Sequence, residues 1–404
     1  MTRVLVCVPG VPHKSRGASS VLFYHYIDQL KRAGFNVLCL LLIERDAQGD
    51  WDAATFKDEV SEAGRCEVEI AVLDYLLRFD RFTGATRPGS LPSASRQRAL
   101  AFKADWVLCF DLGALAVAKR AGLGGRWLVW LGDLAYQAIW AHARYDAMED
   151  WRAFFRMPKI WLICRRWRAA YRRLLADADF VVVSSGSSEA VVKALGVPSA
   201  RYLPYPWPVD KPFRPVAAFG PRGDQPCFLF CGTLSGLGSR SALHYLLGEL
   251  YPRLLRLWGQ GGFRILITGA RSLPPWAMAS IGNKREIVFE GFVDDLYARM
   301  DQCHAAIVPI DVPVGNRSRI VTAMGYGLLV IAHPNTALGN PALVAGETCL
   351  LASAPEDFAN HMKSAYEDPR MAERIERAAR KAYDHLFAPQ AAGLLLVNHI
   401  KALS

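Results

Sequence analysis

One pattern is written twice along this chain. Residues 3–8 (RVLVCV) form an apolar run, and a loop follows, PGVPHKSRGASS, holding Gly10 and Gly17. Leu22, Phe23, Tyr26, Ile27, Leu30 and Ala33 then recur at helical spacing until Gly34, and a second apolar run, FNVLCLLLI, comes next. Apolar runs without alternation are the mark of strands buried on both faces. Strand, glycine loop, helix and strand in that order predict a βαβ unit with a parallel pair. WVLCF (106–110), WLVWL (127–131) and DFVVVSS (179–185) continue the theme. The pattern restarts at CFLFCG (227–232), with a helix over 241–258 and a strand at FRILITG (263–269). IVFEGFV, a short helix capped by Asp294, HAAIVPI (304–310), a helix over 317–326 and the strand LLVIAH (328–333) complete it.

Between the halves, residues 204–226 hold seven of the 23 prolines. Proline removes a donor and fixes φ, so this stretch is a linker. The expected organisation is an N-terminal Rossmann-like domain over 1–205, a linker over 206–226 and a C-terminal Rossmann-like domain over 227–385. A final helix over 386–404 is expected to return to the first domain. Such sheets bind ligands beyond the carboxyl ends of their strands. With 52% hydrophobic residues the chain can fill two such cores. The net charge of +10 asks for an anionic partner: nucleic acid, an acidic membrane face or phosphate-bearing ligands. Most of the nine cysteines lie in apolar runs and read as buried hydrophobes of a reducing compartment. Cys227 and Cys231 are too far apart along one strand to share a metal, and no second ligand pair answers them. The chain opens directly into a strand, and no apolar stretch nears the roughly 20 residues that span a bilayer. The expectation is a cytoplasmic protein, soluble or peripheral on the inner face of the membrane.

Three stretches carry chemistry. The first is VPIDVPVGNRSRIVTAMGYGLLVIAH (308–333), in which a loop with Gly315 and Asn316 runs into a helix start bearing Arg317 and Arg319. Free N–H groups and the helix dipole favour an anion there, and arginine matches phosphate through its planar fork. The alternative is a solvated pair of surface arginines. In the second stretch, WLVWLGDLAYQ, Asp133 follows a buried strand, and Asp111 in CFDLG has the same placement. An acid at that point can orient or deprotonate a hydroxyl, or simply cap the next helix. His13 in the first loop is a contact for phosphate or acceptor, or a solvated loop histidine. The third stretch is WRAFFRMPKIWLICRRWRAAYRRLL (151–175), a basic amphipathic helix with tryptophan and phenylalanine. Arg165, Arg166, Trp167, Arg168 and Arg172 make it a candidate interfacial helix on an anionic membrane. A core helix with a solvated face and a nucleic-acid surface are the alternatives; nucleic acid is not the expected partner.

The 308–333 segment resembles the C-terminal signature of the retaining family-four glycosyltransferases (glycosyltransferases group 1), G-x-R-x-K-x-x-E-A-M-A-x-G-x-P-V-V-A. CGTLSGLGSRSALHYLLGELYPRL, IVFEGFVDDLYARMDQCHAAIVPI and GETCLLASAPEDFANHMKSAYEDPRMAERI resemble the family's other blocks in order and spacing, so the likeness covers most of 227–390. It implies the GT-B fold, an α/β architecture of two Rossmann-like domains facing each other across a cleft. It also implies transfer of a sugar from a nucleotide-diphosphate sugar to a glycan or lipid-linked hydroxyl, with retention. Gly17 and Gly232 with their loops, Gly315 and Asn316 would approach the diphosphate. Arg240, Arg317 and Arg319 would neutralise it, and Gly291, Phe292 and Val293 would hold the base. Asp133 or Asp111 would face the sugar and acceptor.

The sequence departs from the family at two acids. The glutamate that grips the ribose falls at Thr322, and its E-x7-E partner at Val314. Thr322 can offer one hydrogen bond where a carboxylate accepts two. No metal or other cofactor is expected, because arginines and amides can take the diphosphate charge. The absent acids keep a second expectation open, a non-catalytic scaffold on the same fold that binds a glycan, a lipid or a partner enzyme.

Overall fold

A computed structural model describes residues 1–15, 17–47, 56, 66–214, 225–232, 234, 236–313 and 317–403. They fall into two compact units. Met1–Tyr136, Pro158–Trp207 and Pro389–Ser404 form the first, and Gln137–Met157 with Pro208–Ala388 the second. Residues 215–224 of the expected linker lie outside the described residues.

The first unit is built on seven parallel strands: β1 (Arg3–Pro9), β2 (Asn36–Glu44), β3 (Cys66–Leu73), β6 (Trp106–Phe110), β7 (Arg126–Leu131), β8 (Phe180–Val183) and β9 (Ala200–Tyr202). Their order is β3-β2-β1-β6-β7-β8-β9, so the direction of winding reverses between β1 and β6. Val4–Val8 and all of β6 are buried, as two-sided cover demands. The helices are α1 (Ala18–Arg32), α2 (Ser93–Ala101), α3 (Asp111–Arg120), α4 (Ala135–Glu149), α5 (Met157–Leu174) and α6 (Gly186–Ala194). Only the start of α4 belongs to this unit. A small antiparallel hairpin, β4 (Leu77–Phe79) and β5 (Thr86–Pro88), stands apart from the sheet.

The second unit repeats the plan with β10 (Cys227–Cys231), β11 (Arg264–Thr268), β12 (Ile287–Gly291), β13 (Ala305–Val308), β14 (Val330–Ala332) and β15 (Leu350–Leu351). The order is β12-β11-β10-β13-β14-β15, all parallel, with the reversal between β10 and β13. Its helices are α7 (Leu237–His244), α8 (Tyr251–Trp258), α9 (Pro275–Ile281), α10 (Leu296–Asp301), α11 (Ser318–Tyr326), α12 (Pro334–Gly339), α13 (Pro355–Glu367) and α14 (Pro369–Leu386). The helix expected over 241–258 is interrupted by a π segment, Tyr245–Leu250. The cap of α10 is Asp295 rather than Asp294: the Asp295 carboxylate accepts from the Tyr297 and Ala298 amides. The chain entering this unit is pinned by Arg214, which lies 3.0 Å from Glu376 with both side chains buried.

The C-terminal stretch is two helices broken at Phe387–Ala388, so the final helix expected over 386–404 begins at Pro389. The second, α15 (Pro389–Leu403), groups with the first unit. Residues 369–403 contain an 18-residue window apolar enough to cross a membrane, contrary to the expectation that no stretch comes near this. Ala392, Gly393, Leu396, Val397 and Ile400 of α15 are buried, and Gly393 packs against Gln29 of α1, so its apolar face is used within the fold.

Candidate functional site

In the second unit the carboxyl ends of β10, β11 and β12 each finish on a glycine: Gly232, Gly269 and Gly291. Their φ angles are 141°, 93° and 75°, a region that side-chained residues avoid. The three are stitched together, since the Gly232 amide donates to Thr268 and the Gly269 amide to Gly291. A Cβ on Gly269 would lie 3.0 Å from the Gly232 backbone. The row lets bare backbone line the strand ends. Gly232 and Gly291 were legible as site residues; Gly269 was not singled out, although it closes the strand FRILITG.

Arg319 explains the first of these glycines. A Cβ on Gly232 would stand 2.4 Å from the Arg319 Cζ. The guanidinium lies across that strand end, and its Nη2 donates to Ser239 Oγ at 2.6 Å. Crowding by protein pulls its pKa below the ordinary arginine value, with the neighbouring Cys231 opposing. No carboxylate among the described residues pairs with it. A desolvated cation of this kind gains from an anion that completes its hydrogen bonds. It sits beside the starts of α7 and α11, at the point where the sheet reverses.

Over the β10, β11 and β12 ends opens a cavity of about 540 Å³, lined by Leu234, Ala270, Leu273, Pro274, Pro275 and Phe292 among others. Phe292 is 70% exposed, so simple core packing does not account for it. Val293 is half-buried next to it. An apolar hollow beside a cationic one suits a flat heterocycle joined to phosphate.

Other expected residues are placed differently. Arg317 is buried and donates to the Val312 carbonyl at 3.1 Å, so it braces the loop ahead of α11. The Thr322 hydroxyl donates back to the Ser318 carbonyl at 3.1 Å, which spends its hydrogen, so a ribose hydroxyl would have to donate to the threonine oxygen. Val314, Gly315 and Asn316 lie outside the described residues.

Arg240, expected to meet a diphosphate, is already engaged. Its guanidinium lies 2.7 Å from Asp146 and 2.6 Å from Glu149, both on α4. Burial pulls the Arg240 pKa down, but Glu149 and Asp146 outweigh it and the net shift is upward. Burial works against the Glu149 carboxylate, yet Arg240 and His244 leave it below its ordinary range. His244 lies 2.8 Å from Glu149 and stacks flat on Trp276 at 4.0 Å. Tyr145 also stacks on the His244 ring, at 5.4 Å, and donates to Asp311 at 2.7 Å. This cluster was invisible in sequence, because its partners stand about ninety positions apart.

In the first unit Gly17 has φ 74° and immediately precedes α1, where the loop after β1 ends. His13 is half-buried in that loop, and its ring accepts from the Ser15 amide at 3.0 Å. Asp111 follows β6 and Asp133 follows β7, adjacent parallel strands. Asp111 has φ 73°, one of two positive values among described residues other than glycine. Strained backbone of this sort persists where surrounding structure enforces it. The Leu112 amide donates to its carboxylate at 2.7 Å. Crowding raises the Asp111 carboxyl above its ordinary range even though the side chain still reaches solvent; Leu112 opposes this and Asp133 adds repulsion. The α4 start is served by Tyr171, whose hydroxyl accepts from the Ala135 amide at 3.1 Å.

On α5, Arg165, Arg168 and Arg172 are exposed, and Arg165 lies over the Trp161 ring at 4.8 Å. Trp167, expected on the membrane side, is instead half-buried, 5.0 Å from Phe79 and packed against the core with Tyr171. Helical spacing turns it roughly 100–160° away from the three exposed arginines.

Residues 225–368 match the family described as "Glycosyl transferases group 1". No curated protein matches the sequence. Among solved structures, the chain is similar to sucrose-phosphate synthase from Thermosynechococcus elongatus, at 17% identity and TM-score 0.66, covering 100% of this chain and 98% of that one. It is similar to Anabaena HepE in complex with UDP-glucose, at 13% identity and TM-score 0.65, with both chains covered fully. It is also similar to the lipopolysaccharide outer core galactosyltransferase WaaB, at 13% identity and TM-score 0.63, again over the full length of both. The fold of this chain is thus that of the GT-B glycosyltransferases, and its second half carries the sequence pattern of their group 1.

Proposed function

We propose that the protein is a glycosyltransferase that moves a sugar from a nucleotide-diphosphate sugar to a hydroxyl of a lipid-linked glycan. The observation that carries the proposal is Arg319: a crowded guanidinium lying across Gly232, bonded to Ser239, with no acidic partner among the described residues. The group 1 match over 225–368 supports it, as do solved relatives of the same fold that include a UDP-glucose complex and a lipopolysaccharide galactosyltransferase. In this reading the cavity beside Phe292 takes the base. Arg319 and the α7 and α11 amides stabilise the charge that develops on the leaving diphosphate. Asp133 or Asp111 orients the acceptor hydroxyl and accepts its proton; the raised Asp111 carboxyl moves it toward that use. Retention of configuration follows the family resemblance, and arginine with amides stands in for a metal. The exposed arginines of α5 hold the enzyme at the anionic inner face of a membrane, where a lipid-linked acceptor resides.

A second reading has its own observation. With Arg240 held by Asp146 and Glu149, and a threonine at 322 where the family's ribose-gripping glutamate would stand, the nucleotide-sugar contacts are weakened. A non-catalytic scaffold binding a glycan, lipid or partner enzyme fits that. A thermal-shift panel separates the two. Stabilisation by one of UDP, GDP, ADP or TDP, or its sugar, supports the transferase; silence across the panel supports the scaffold.

A further inference from the structure

We infer that the β4–β5 hairpin, not α5 alone, forms the lipid-contacting surface of the first unit, with Phe82 as the side chain that enters an anionic bilayer. This deepens the membrane reading above and rests on it. Phe82 is 89% exposed at the hairpin tip, the most exposed aromatic among the described residues. Its position is built. Asp80 accepts from the Phe82 and Thr83 amides at 3.0 and 2.8 Å, Gly84 turns with φ 69°, and the Gly84 amide returns to Asp80 at 3.0 Å.

The hairpin is fastened along α5. Arg166 lies across Gly84, where a Cβ would come within 2.8 Å of its Nε, and donates to the Arg81 carbonyl at 3.3 Å. Arg173 donates to Thr86, and Phe79 packs on Trp167. One turn before Arg166 stand Leu162 and Trp161, 44% and 51% exposed. Hairpin and helix thus share one flank on which apolar side chains alternate with cations.

The charge on these two elements has one sign. Residues 157–174 hold Lys159, Arg165, Arg166, Arg168, Arg172 and Arg173 and no acid. The hairpin adds Arg78, Arg81 and Arg87 against the single acid Asp80, which Arg87 neutralises. Cations around exposed Phe, Trp and Leu suit a surface that is anionic outside and apolar a few ångströms deeper. A nucleic-acid duplex would match the charge but leave Phe82 and Leu162 in water, and a single strand, which could stack a base on Phe82, would still leave Leu162 exposed. The aromatic belongs where its ring can leave water while the arginines stay at the headgroups.

The test uses the full chain with vesicles of phosphatidylglycerol and phosphatidylcholine, and with phosphatidylcholine alone, read by co-sedimentation. The wild type should bind the anionic vesicles only. Phe82→Ala should weaken binding about tenfold and Phe82→Trp should restore it, since burying one aromatic changes partitioning by roughly that factor. Thermal melting of both variants should match the wild type, because Phe82 supports nothing. If Phe82→Ala binds as the wild type does, while replacing Arg165, Arg168 and Arg172 with Glu releases the protein, the hairpin inference is overturned and the α5 reading survives. If the wild type ignores anionic vesicles, or binds only RNA in a salt-sensitive way, both are overturned.

Discussion

Glu149→Gln should make the protein a better binder of nucleoside diphosphates and a less stable fold. Glu149 meets Arg240 at 2.6 Å with only 14% and 20% of the two side chains exposed, so it is the stronger half of the clamp. Asp146 is 55% exposed and screened. Hydrogen bonds to charged groups contribute about 1.5–3 kcal/mol and exposed pairs about 0–1 kcal/mol. A diphosphate that recruits Arg240 must displace these bonds. Glutamine keeps a neutral acceptor but loses the charge, worth about 1–2 kcal/mol here, so diphosphate affinity should rise about 5- to 30-fold. Without ligand the variant should melt lower, because Arg240 keeps its desolvation cost and loses its partner. The pH dependence follows from the lowered Glu149 carboxyl. Its contribution is present above the unfolded-state carboxylate range and is lost as pH falls through the lower folded-state value. Acid should therefore weaken the wild type more than the variant over that window. Isothermal titration with UDP, GDP, ADP and TDP, paired with melting curves, checks both parts. Equal or weaker binding by Glu149→Gln would refute the reasoning, and would mean that Glu149 positions Arg240 for the donor rather than competing with it.

Further outcomes are expected elsewhere. Gly232→Ala places a methyl 2.4 Å from the Arg319 guanidinium and should cut transfer by about 100-fold or more, the scale for losing one preorganised charge-stabilising donor, while circular dichroism stays native. Asp111→Asn should lower transfer by about 100-fold and hold or raise the melting temperature, because it removes repulsion with Asp133 and asparagine tolerates positive φ. Transfer should survive excess EDTA; loss that added Mg²⁺ restores would contradict an arginine-and-amide site.

Much of the fold was readable because both sheets are parallel and buried on both faces. The inner strands appear as unbroken apolar runs, and even the Gly232 and Gly291 strand ends could be named, whereas the edge strands β3 (CEVEIAVL) and β9 (ARY) are partly exposed and carry no such run. Irregular elements were hidden. The β4–β5 hairpin has strands of only three residues, too short for their alternation to stand out, and its tip is set by Asp80 and Gly84 rather than by any periodic signal. The cap of α10 shifted by one residue because two adjacent aspartates offer the same chemistry and only backbone geometry chooses Asp295. Trp167 shows the limit of composition. The segment is rich in tryptophan and arginine, but the 3.6-residue period turns this indole to the core. The site was half legible. Arg319 stands at a helix start, a local feature. The Arg240 clamp depends on α4 carboxylates distant in sequence, and no local pattern announces that.

Nucleotide binding by Arg319→Ala beside the wild type decides whether Arg319 marks a donor site. One nucleoside diphosphate at a hundred times its Kd should stabilise the wild type by about 2.7 kcal/mol in thermal unfolding. The same ligand should leave Arg319→Ala unmoved at that concentration while the variant folds normally. Stabilisation of the two proteins to the same extent, or of neither by any diphosphate, would contradict the claim that Arg319 marks a donor site.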